Sequence, residues 1–300
     1  MKKILFGTAM MMAMAAIFSF SFTACGGSDD DDSSNNSGGG GYSSTSNGQS
    51  TGTFRGAKRV FGNNLVKTFG SDEGSNWEFT YDDNGFMTNA KQSDGSKNYE
   101  YKISYSENTI TFSRYKDGKF KETRTAEIGA NGFMSKTVDD EDIYTFTYDD
   151  AGHLTRFTIN EDGKIDDDVT LTWQGGNVVN ALNQDSHPKT YTVYYQTETQ
   201  SPIANAIKIP DFDHIASLDI DIETFFFYAG AIGFGPDQLP LSTFGRSESS
   251  AKENTEQTET CTHTWTVDSN NRPIKMERKK VETLGEQSFT PTTKTYTWGY

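Results

Sequence analysis

The sequence is poor in most of the features that announce an activity. It has 2 cysteines, 4 histidines and 7 prolines in 300 residues. Two cysteines, Cys25 and Cys261, make no disulfide framework, so stability has to come from packing. The histidines, His153, His187, His214 and His263, are scattered without ligand spacing such as His-x-x-x-His. Basic residues are few: 27 Lys and Arg stand against 42 Asp and Glu, a net charge of −15. That sign argues against a nucleic-acid partner, whose phosphates need clustered Lys and Arg. It argues equally against docking on an anionic membrane through basic patches. Hydrophobic residues make up 33% of the chain, and aromatics are 13%. A core therefore has to be built largely from Phe, Tyr and Trp. There is no Gly-x-Ser-x-Gly elbow, no phosphate loop and no cofactor motif.

A long apolar run is present from Ile4 to Phe20, behind Lys2 and Lys3 and ahead of Phe22-Thr23-Ala24-Cys25. It is short for a membrane span, and no positive charges follow it, so it reads as an export signal. The cysteine after small residues resembles a bacterial lipobox, with Phe22 where Leu is usual. The resemblance implies that residues 1–24 are removed and that Cys25 becomes the acylated first residue. Loss of Lys2 and Lys3 leaves 25 basic residues against 42 acidic ones, or −17. Asp29 to Asp32 resembles the acidic export tag of surface-exposed Bacteroidetes lipoproteins. From Cys25 to residue 53 the chain is mostly Ser, Asn, Gly, Asp and Thr, with nothing to bury. It is expected to be a disordered tether reaching about 30 Å. Residues 54–300 are expected to form one domain.

Within that domain a unit recurs. Phe79-Thr80-Tyr81-Asp82-Asp83-Asn84-Gly85-Phe86-Met87 returns as Phe146-Thr147-Tyr148-Asp149-Asp150-Ala151-Gly152-His153-Leu154. Weaker copies begin at Leu171 and Trp265, and a half copy runs Gly129 to Met134. Large residue, Thr, large residue is the period-two pattern of a half-buried strand. Asp, Asn and Gly then supply the positive φ of a tight turn. Further turns at Asp94-Gly95, Asp117-Gly118 and Asp162-Gly163 continue the rhythm. The spacing predicts an all-β, antiparallel up-and-down meander of roughly 13–15 short strands, curled into a barrel or strongly curved sheet. One segment near 211–230 breaks the rhythm: Phe212, Ile215, Leu218, Ile222, Phe225, Phe226 and Ala229 stand near helical spacing. It is expected inside the curve, over the aromatics of the sheet, with a loop plus one more strand as the other reading. Residues 245–259 read as a mobile polar loop.

The Tyr-Asp-Asp-Asn-Gly units resemble the tyrosine-aspartate hairpin repeats of large bacterial wrapping proteins. Signal, acidic tag and repeat together resemble an uncharacterised Bacteroidetes surface lipoprotein family with a porin-like fold. That resemblance implies a fold and an outer-membrane location facing the cell exterior, with no catalytic residues to carry over. An integral outer-membrane barrel is the rival reading, and the terminal Tyr296, Trp298, Tyr300 alternation resembles an assembly signal. Against it, most alternating runs last five to seven residues, where a transmembrane strand needs about 9–11.

The candidate sites are sparse. Thr158 to Asp166 places Asn160, Asp162 and Asp166 at calcium-loop offsets, but Thr158 and Val169 fail the first and twelfth positions. A hairpin turn is the plainer reading. Cys261 and His263 share a strand face without a third ligand in reach. Trp77, Trp173, Trp265 and Trp298 sit on predicted strands; lining an open trough they would stack on sugar rings, otherwise they fill the core. Many carboxylate pairings are available for a surface hydrolase, and none stands out. The expectation is a monomeric, non-catalytic surface binding or display module for glycan or another cell-surface partner, touching the membrane through its acyl anchor alone and using no cofactor.

Overall fold

In the computed structural model, residues 53–184, 188–218, 220, 222–248 and 256–300 are described. The signal segment, Cys25, the tether up to residue 52 and His187 lie outside the described residues. After a one-turn helix, α1 (Lys58–Phe61), twelve strands run up and down in chain order. They are β1 (Thr68–Ser71), β2 (Ser75–Tyr81), β3 (Met87–Asp94), β4 (Lys97–Tyr105), β5 (Thr109–Lys116), β6 (Lys119–Ile128), β7 (Met134–Asp139), β8 (Asp142–Tyr148), β9 (Leu154–Glu161), β10 (Lys164–Gln174), β11 (Asn177–Asn183) and β12 (Lys189–Tyr194). The next segment carries the two-residue strands β13 (Ile203–Ala204) and β14 (Gln238–Leu239), which pair only with each other. Between them lie α2 (Phe212–Ala216) and α3 (Thr224–Tyr228). The meander resumes with β15 (Ser242–Glu248), β16 (Glu256–Val267), β17 (Pro273–Leu284), the two-residue β18 (Gln287–Ser288) and β19 (Thr292–Gly299).

All pairings are antiparallel. β12 pairs with β15, β17 with β19, and β1 with both β2 and β19. Of the seventeen strands in this sheet, β18 only extends the tip of β17; the other sixteen close into a ring without an edge. Closure removes the unpaired donors and acceptors of an open sheet. The count exceeds the expected 13–15, and residues 245–259 are not one loop. Ser242–Glu248 and Glu256–Val267 are strands, and only 249–255 fall outside the described residues. The alternation was hidden there because the inward positions Thr243, Ser247 and Glu259 are themselves polar.

The repeat has a structural counterpart at one end of the barrel. In the turn after β2, the Asp82 N–H donates to the Phe86 carbonyl and the Gly85 N–H to the Asp82 carbonyl. The same bonds join Asp149, Gly152 and His153, and Gly129, Gly132 and Phe133; Asp268, Asn271 and Arg272 repeat them. Asn271, at φ 58°, takes the place that glycine holds in the other copies. Each of these turns follows a register shift: Thr80/Tyr81, Glu127/Ile128, Thr147/Tyr148 and Thr266/Val267. A bulge removes a carbonyl from the ladder, and an aromatic from a later strand claims one just beyond each turn. Tyr105 Oη donates to Met87 O at 2.8 Å, Tyr148 Oη to Met134 O at 2.7 Å and Tyr300 Oη to Pro273 O at 2.8 Å. Trp173 Nε1 donates to Leu154 O at 2.7 Å. The aromatic of the repeat thus packs inward and satisfies backbone at its tip.

The segment between β12 and β15 enters from this turn end and fills the interior. It forms two short helices rather than one long one, because Ser217 at φ 55° ends α2. Phe225 meets Tyr101 at 4.7 Å and Phe112 at 5.4 Å between ring centroids, and Tyr228 meets Phe79 at 4.9 Å. Phe234 packs edge-on to Phe133 at 5.4 Å. A chain of buried polar groups links it to β19: Trp298 Nε1 donates to Tyr228 Oη at 2.8 Å, and Tyr228 Oη to Asp211 Oδ2 at 3.1 Å. Asp211, fully buried, also pairs with His214 Nδ1 at 2.8 Å. At this end the described residues of the insert pack directly on the aromatics of the strands.

The outer face is polar. Thr260, Thr262, Thr264 and Thr266 of β16, Lys275, Glu277 and Lys279 of β17, and Asn76, Glu78 and Thr80 of β2 are all exposed. Strand length does not distinguish this barrel from a transmembrane one, contrary to the five-to-seven-residue estimate. β16 and β17 are 12 residues long and β10 is 11. Only about half of each long strand faces apolar packing, so hydrophobic alternation understated its length.

Candidate functional site

Toward the opposite end, past Asp213 and Ser217, the inward positions change from aromatic to charged. On one wall, Arg114 Nε meets Glu122 at 2.6 Å and Arg124 meets the same carboxylate at 2.8 Å and also pairs with Asp139. Glu122, Asp139 and Asp140 bring their oxygens within 4.8 Å of one another. Two guanidiniums already pair with Glu122 and Asp139 of this cluster, so the approach of those two carboxylates is explained without a cation. At the rim, Asp140, Glu141, Asp142, Glu161 and Asp162 edge a shallow acidic depression.

The other wall holds a pocket of about 150 Å³, open to solvent, lined by Lys189, Asp213, Ser217, Glu259, Cys261, Arg278 and Lys280. β12 contributes Lys189, β16 contributes Glu259 and Cys261, and β17 contributes Arg278 and Lys280; the end of α2 supplies the floor. Neighbouring antiparallel strands set Cys261 opposite Lys280, and His263 opposite Arg278. Glu259 is gripped from two sides, by Lys280 at 3.2 Å and Lys189 at 3.6 Å. Lys280 also meets Glu282 at 2.9 Å. Arg278 differs. Its Nη1 donates to Ser217 Oγ at 3.1 Å, its guanidinium lies 5.1 Å from the Tyr296 ring centre, and its buried Nε has no hydrogen-bond partner. Among the described residues, no carboxylate comes within 4.0 Å of it.

Ser217 Oγ also lies 3.3 Å from His263 Nε2. Serine, histidine and cysteine beside a pocket invite a nucleophilic reading, but the electrostatics oppose it. Burial first, then the Arg278 charge, hold the His263 pKa down at about 3. Such an imidazole does not keep a proton taken from Ser217. Burial likewise pushes the Cys261 thiol up, away from thiolate.

The candidates from the sequence lie elsewhere. Trp77 is buried against Phe79 and Tyr101, and Trp298 is buried with its N–H on Tyr228. Trp173 stacks on His153 at 4.2 Å, and Trp265 donates to Pro240 O at 2.6 Å. All four serve packing at the turn end. Asn160 opposes Ile165 across a two-residue turn, Asp162-Gly163, with φ of 52° and 79°. Asp162 and Asp166 are exposed, and Asp166 sits in a bulge. The pocket residues other than Cys261 and its neighbour His263 were missed. Their trace was available: Glu259-x-Cys261-x-His263 and Arg278-x-Lys280-x-Glu282 place polar groups on the inward phase of both strands.

A closed antiparallel barrel with a packed interior and one charged mouth is a porin-like fold whose lumen is occupied. The chain belongs to the family described as a domain of unknown function (DUF4595) with porin-like fold, which matches residues 79–275. Among solved structures, a porin-like protein from Bacteroides uniformis is similar with a TM-score of 0.62 at 15% identity, over 83% of this chain and 99% of that one. A porin-like protein from Bacteroides vulgatus is similar with a TM-score of 0.50 at 13% identity, over 78% and 98%. At these identities the likeness concerns the fold alone. No curated protein matches.

Proposed function

We propose that this chain is a lipid-anchored, non-catalytic binding module of the outer membrane, facing the cell exterior and presenting the charged mouth of its barrel to solutes or glycan. The observation that carries the reading is the polarity of the two faces. A membrane-embedded barrel turns an apolar band outward and keeps a polar lumen. Here Thr, Lys, Glu and Asn cover the outside, and Phe, Tyr and Trp fill the inside at the turn end. A charged residue on a lipid-facing wall costs about 2–4 kcal/mol near the midplane, and β17 alone would present Lys275, Glu277 and Lys279. The wall is therefore built for water, and an acylated Cys25 is the means of holding it at the membrane. The His263 and Cys261 electrostatics support a binding role over a hydrolytic one.

The test is protease shaving of intact cells together with carbonate extraction, each with and without Cys25→Ala. The expected result is release of a soluble fragment spanning roughly residues 54–300, and loss of membrane retention in the variant. Full protection with unchanged retention in Cys25→Ala would transfer the chain to the integral-barrel class.

A further inference from the structure

Resting on that binding role, we infer that the pocket between β12, β16, β17 and the end of α2 takes a small hydroxylated carboxylate, of the sugar-acid type, with its carboxylate on Arg278. The argument begins with charge. The walls carry three cations, Lys189, Arg278 and Lys280, against two anions, Asp213 and Glu259. Both lysines are engaged by Glu259, whereas Arg278 meets no carboxylate within 4.0 Å among the described residues. A half-buried guanidinium that lines the pocket without a carboxylate partner among the described residues leaves its fork to a ligand, and a planar carboxylate matches it. Ser217 Oγ, already 3.1 Å from Nη1, stands beside the same position.

The rest of the lining decides what the carboxylate is attached to. Every lining residue apart from Cys261 is polar or charged. An aliphatic acid would bury its chain against ions and strip water from them without replacing its hydrogen bonds. Hydroxyl groups can donate to Glu259 and Asp213 and accept from Lys189 and Lys280. No aromatic ring is among the lining residues to give a neutral sugar a stacking face, so the carboxylate is what holds the ligand. A space of about 150 Å³ is near the size that holds a six-membered ring, and the open side leaves room for a chain attached beyond it. The ligand is thus either a free sugar acid or the acidic end of a glycan. Screening confines the chain's overall negative charge to about 8 Å at physiological salt, so the groups lining the pocket govern the approach.

The pocket supplies its own reporter. In the full chain carrying Cys25→Ala, Cys261 is the sole thiol, and it lines the site. The experiment measures binding of D-glucuronate, D-glucose, butyrate and inorganic phosphate by calorimetry, and the rate at which a small methanethiosulfonate labels Cys261 with each present. Glucuronate is expected to bind and to slow labelling at least fivefold, glucose and butyrate to do neither, and Arg278→Lys to weaken glucuronate about tenfold. An oligosaccharide ending in the same acid separates the two sources: binding at least as tight as the free acid points to a glycan end, weaker binding to a free solute. Should Arg278→Lys fail to fold, protection of Cys261 in the Cys25→Ala chain decides alone. Unchanged labelling with glucuronate, equal binding of butyrate or phosphate, or full affinity in folded Arg278→Lys would overturn the assignment. Any of those results leaves the surface-module reading standing, because protease shaving reports on it independently.

Discussion

If the segment between β12 and β15 is core rather than a removable stopper, then Phe225→Ala should be among the most damaging substitutions in the chain. Phe225 is fully buried, and its ring touches Tyr101, Phe112 and Phe226, with Trp77 6.4 Å away between centroids. Truncating a core phenylalanine costs about 3–5 kcal/mol, and the figure rises when the cavity cannot collapse. Here three of the four neighbours stand on β2, β4 and β5, whose ladders hold them in place. The upper part of that range is therefore expected. For a domain of this size 1 kcal/mol corresponds to roughly 2–4 °C, so Tm should fall by about 8–20 °C. Calorimetric melting of Phe225→Ala beside Phe244→Ala checks this. Phe244 is 36% exposed on the outer face of β15, and its loss should stay within about 0.5 kcal/mol. A Phe225→Ala loss under about 1 kcal/mol would show that the insert does not hold the barrel together and would sink the plugged-core account.

Other outcomes follow from the same packing. Gly152→Ala should destabilise far more than Gly163→Ala in urea melts. Both have positive φ, but a Cβ at 152 lies 2.7 Å from Phe133 and 3.1 Å from Phe234, whereas at 163 nothing lies within 4 Å; equal losses would contradict the turn-end packing. Tyr148→Phe leaves the buried Met134 carbonyl without its side-chain donor and should cost about 1–3 kcal/mol; an unchanged midpoint would show that the bond contributes nothing. Buried His263 and half-buried His214 should give opposite pH dependences. His263, held near 3, contributes stability that is lost as pH falls from about 6.5, where the unfolded chain starts to take up the proton. His214 is raised: burial opposes its charge, but the Asp211 carboxylate outweighs burial. Its contribution is therefore complete below about 6.5 and lost as pH rises through the folded value. His263→Gln should flatten the acid side of a stability profile and His214→Gln the alkaline side. The same slope in variant and parent would count against either assignment.

The hairpin repeat was legible because its signal is local. Asp82 to Gly85 and Asp149 to Gly152 specify a turn through their own side chains and backbone, and the flanking Phe-Thr-Tyr gives the strand phase. The meander and its curling into a barrel follow from those pieces. Harder to read were the stretches where the interior is polar. Thr243, Gly245 and Ser247 face inward on β15, yet they carry no hydrophobic alternation, so 245–259 looked like loop. For the same reason the strands looked short: Glu122 and Arg124 on β6, and Arg278 and Lys280 on β17, continue the inward phase in charged residues. The insert showed its apolarity in sequence but not its break, since only the backbone reveals that Ser217 adopts a left-handed conformation.

What hid the pocket from the sequence is also what makes it a candidate. At the turn end the inward residues are fixed by mutual need: a bulge frees a carbonyl, a Tyr or Trp claims it, and an aromatic of the insert packs on that ring. Little there can change without loss of the fold. At the other end the insert stops at Asp213 and Ser217, the wall continues for several residues, and its inward side chains meet solvent. Charge is then tolerated at low desolvation cost. The ion pairs Arg124–Asp139 and Lys280–Glu259 keep the walls ordered, and Arg278 meets no carboxylate within 4.0 Å among the described residues. Arg278 holds Ser217 through Nη1 and lies over the Tyr296 ring, but the desolvation of its buried Nε–H is uncompensated among the described residues. An apolar residue would pack on Tyr296 without that penalty. In the proposed complex a bound carboxylate supplies the partner that no described residue gives Arg278.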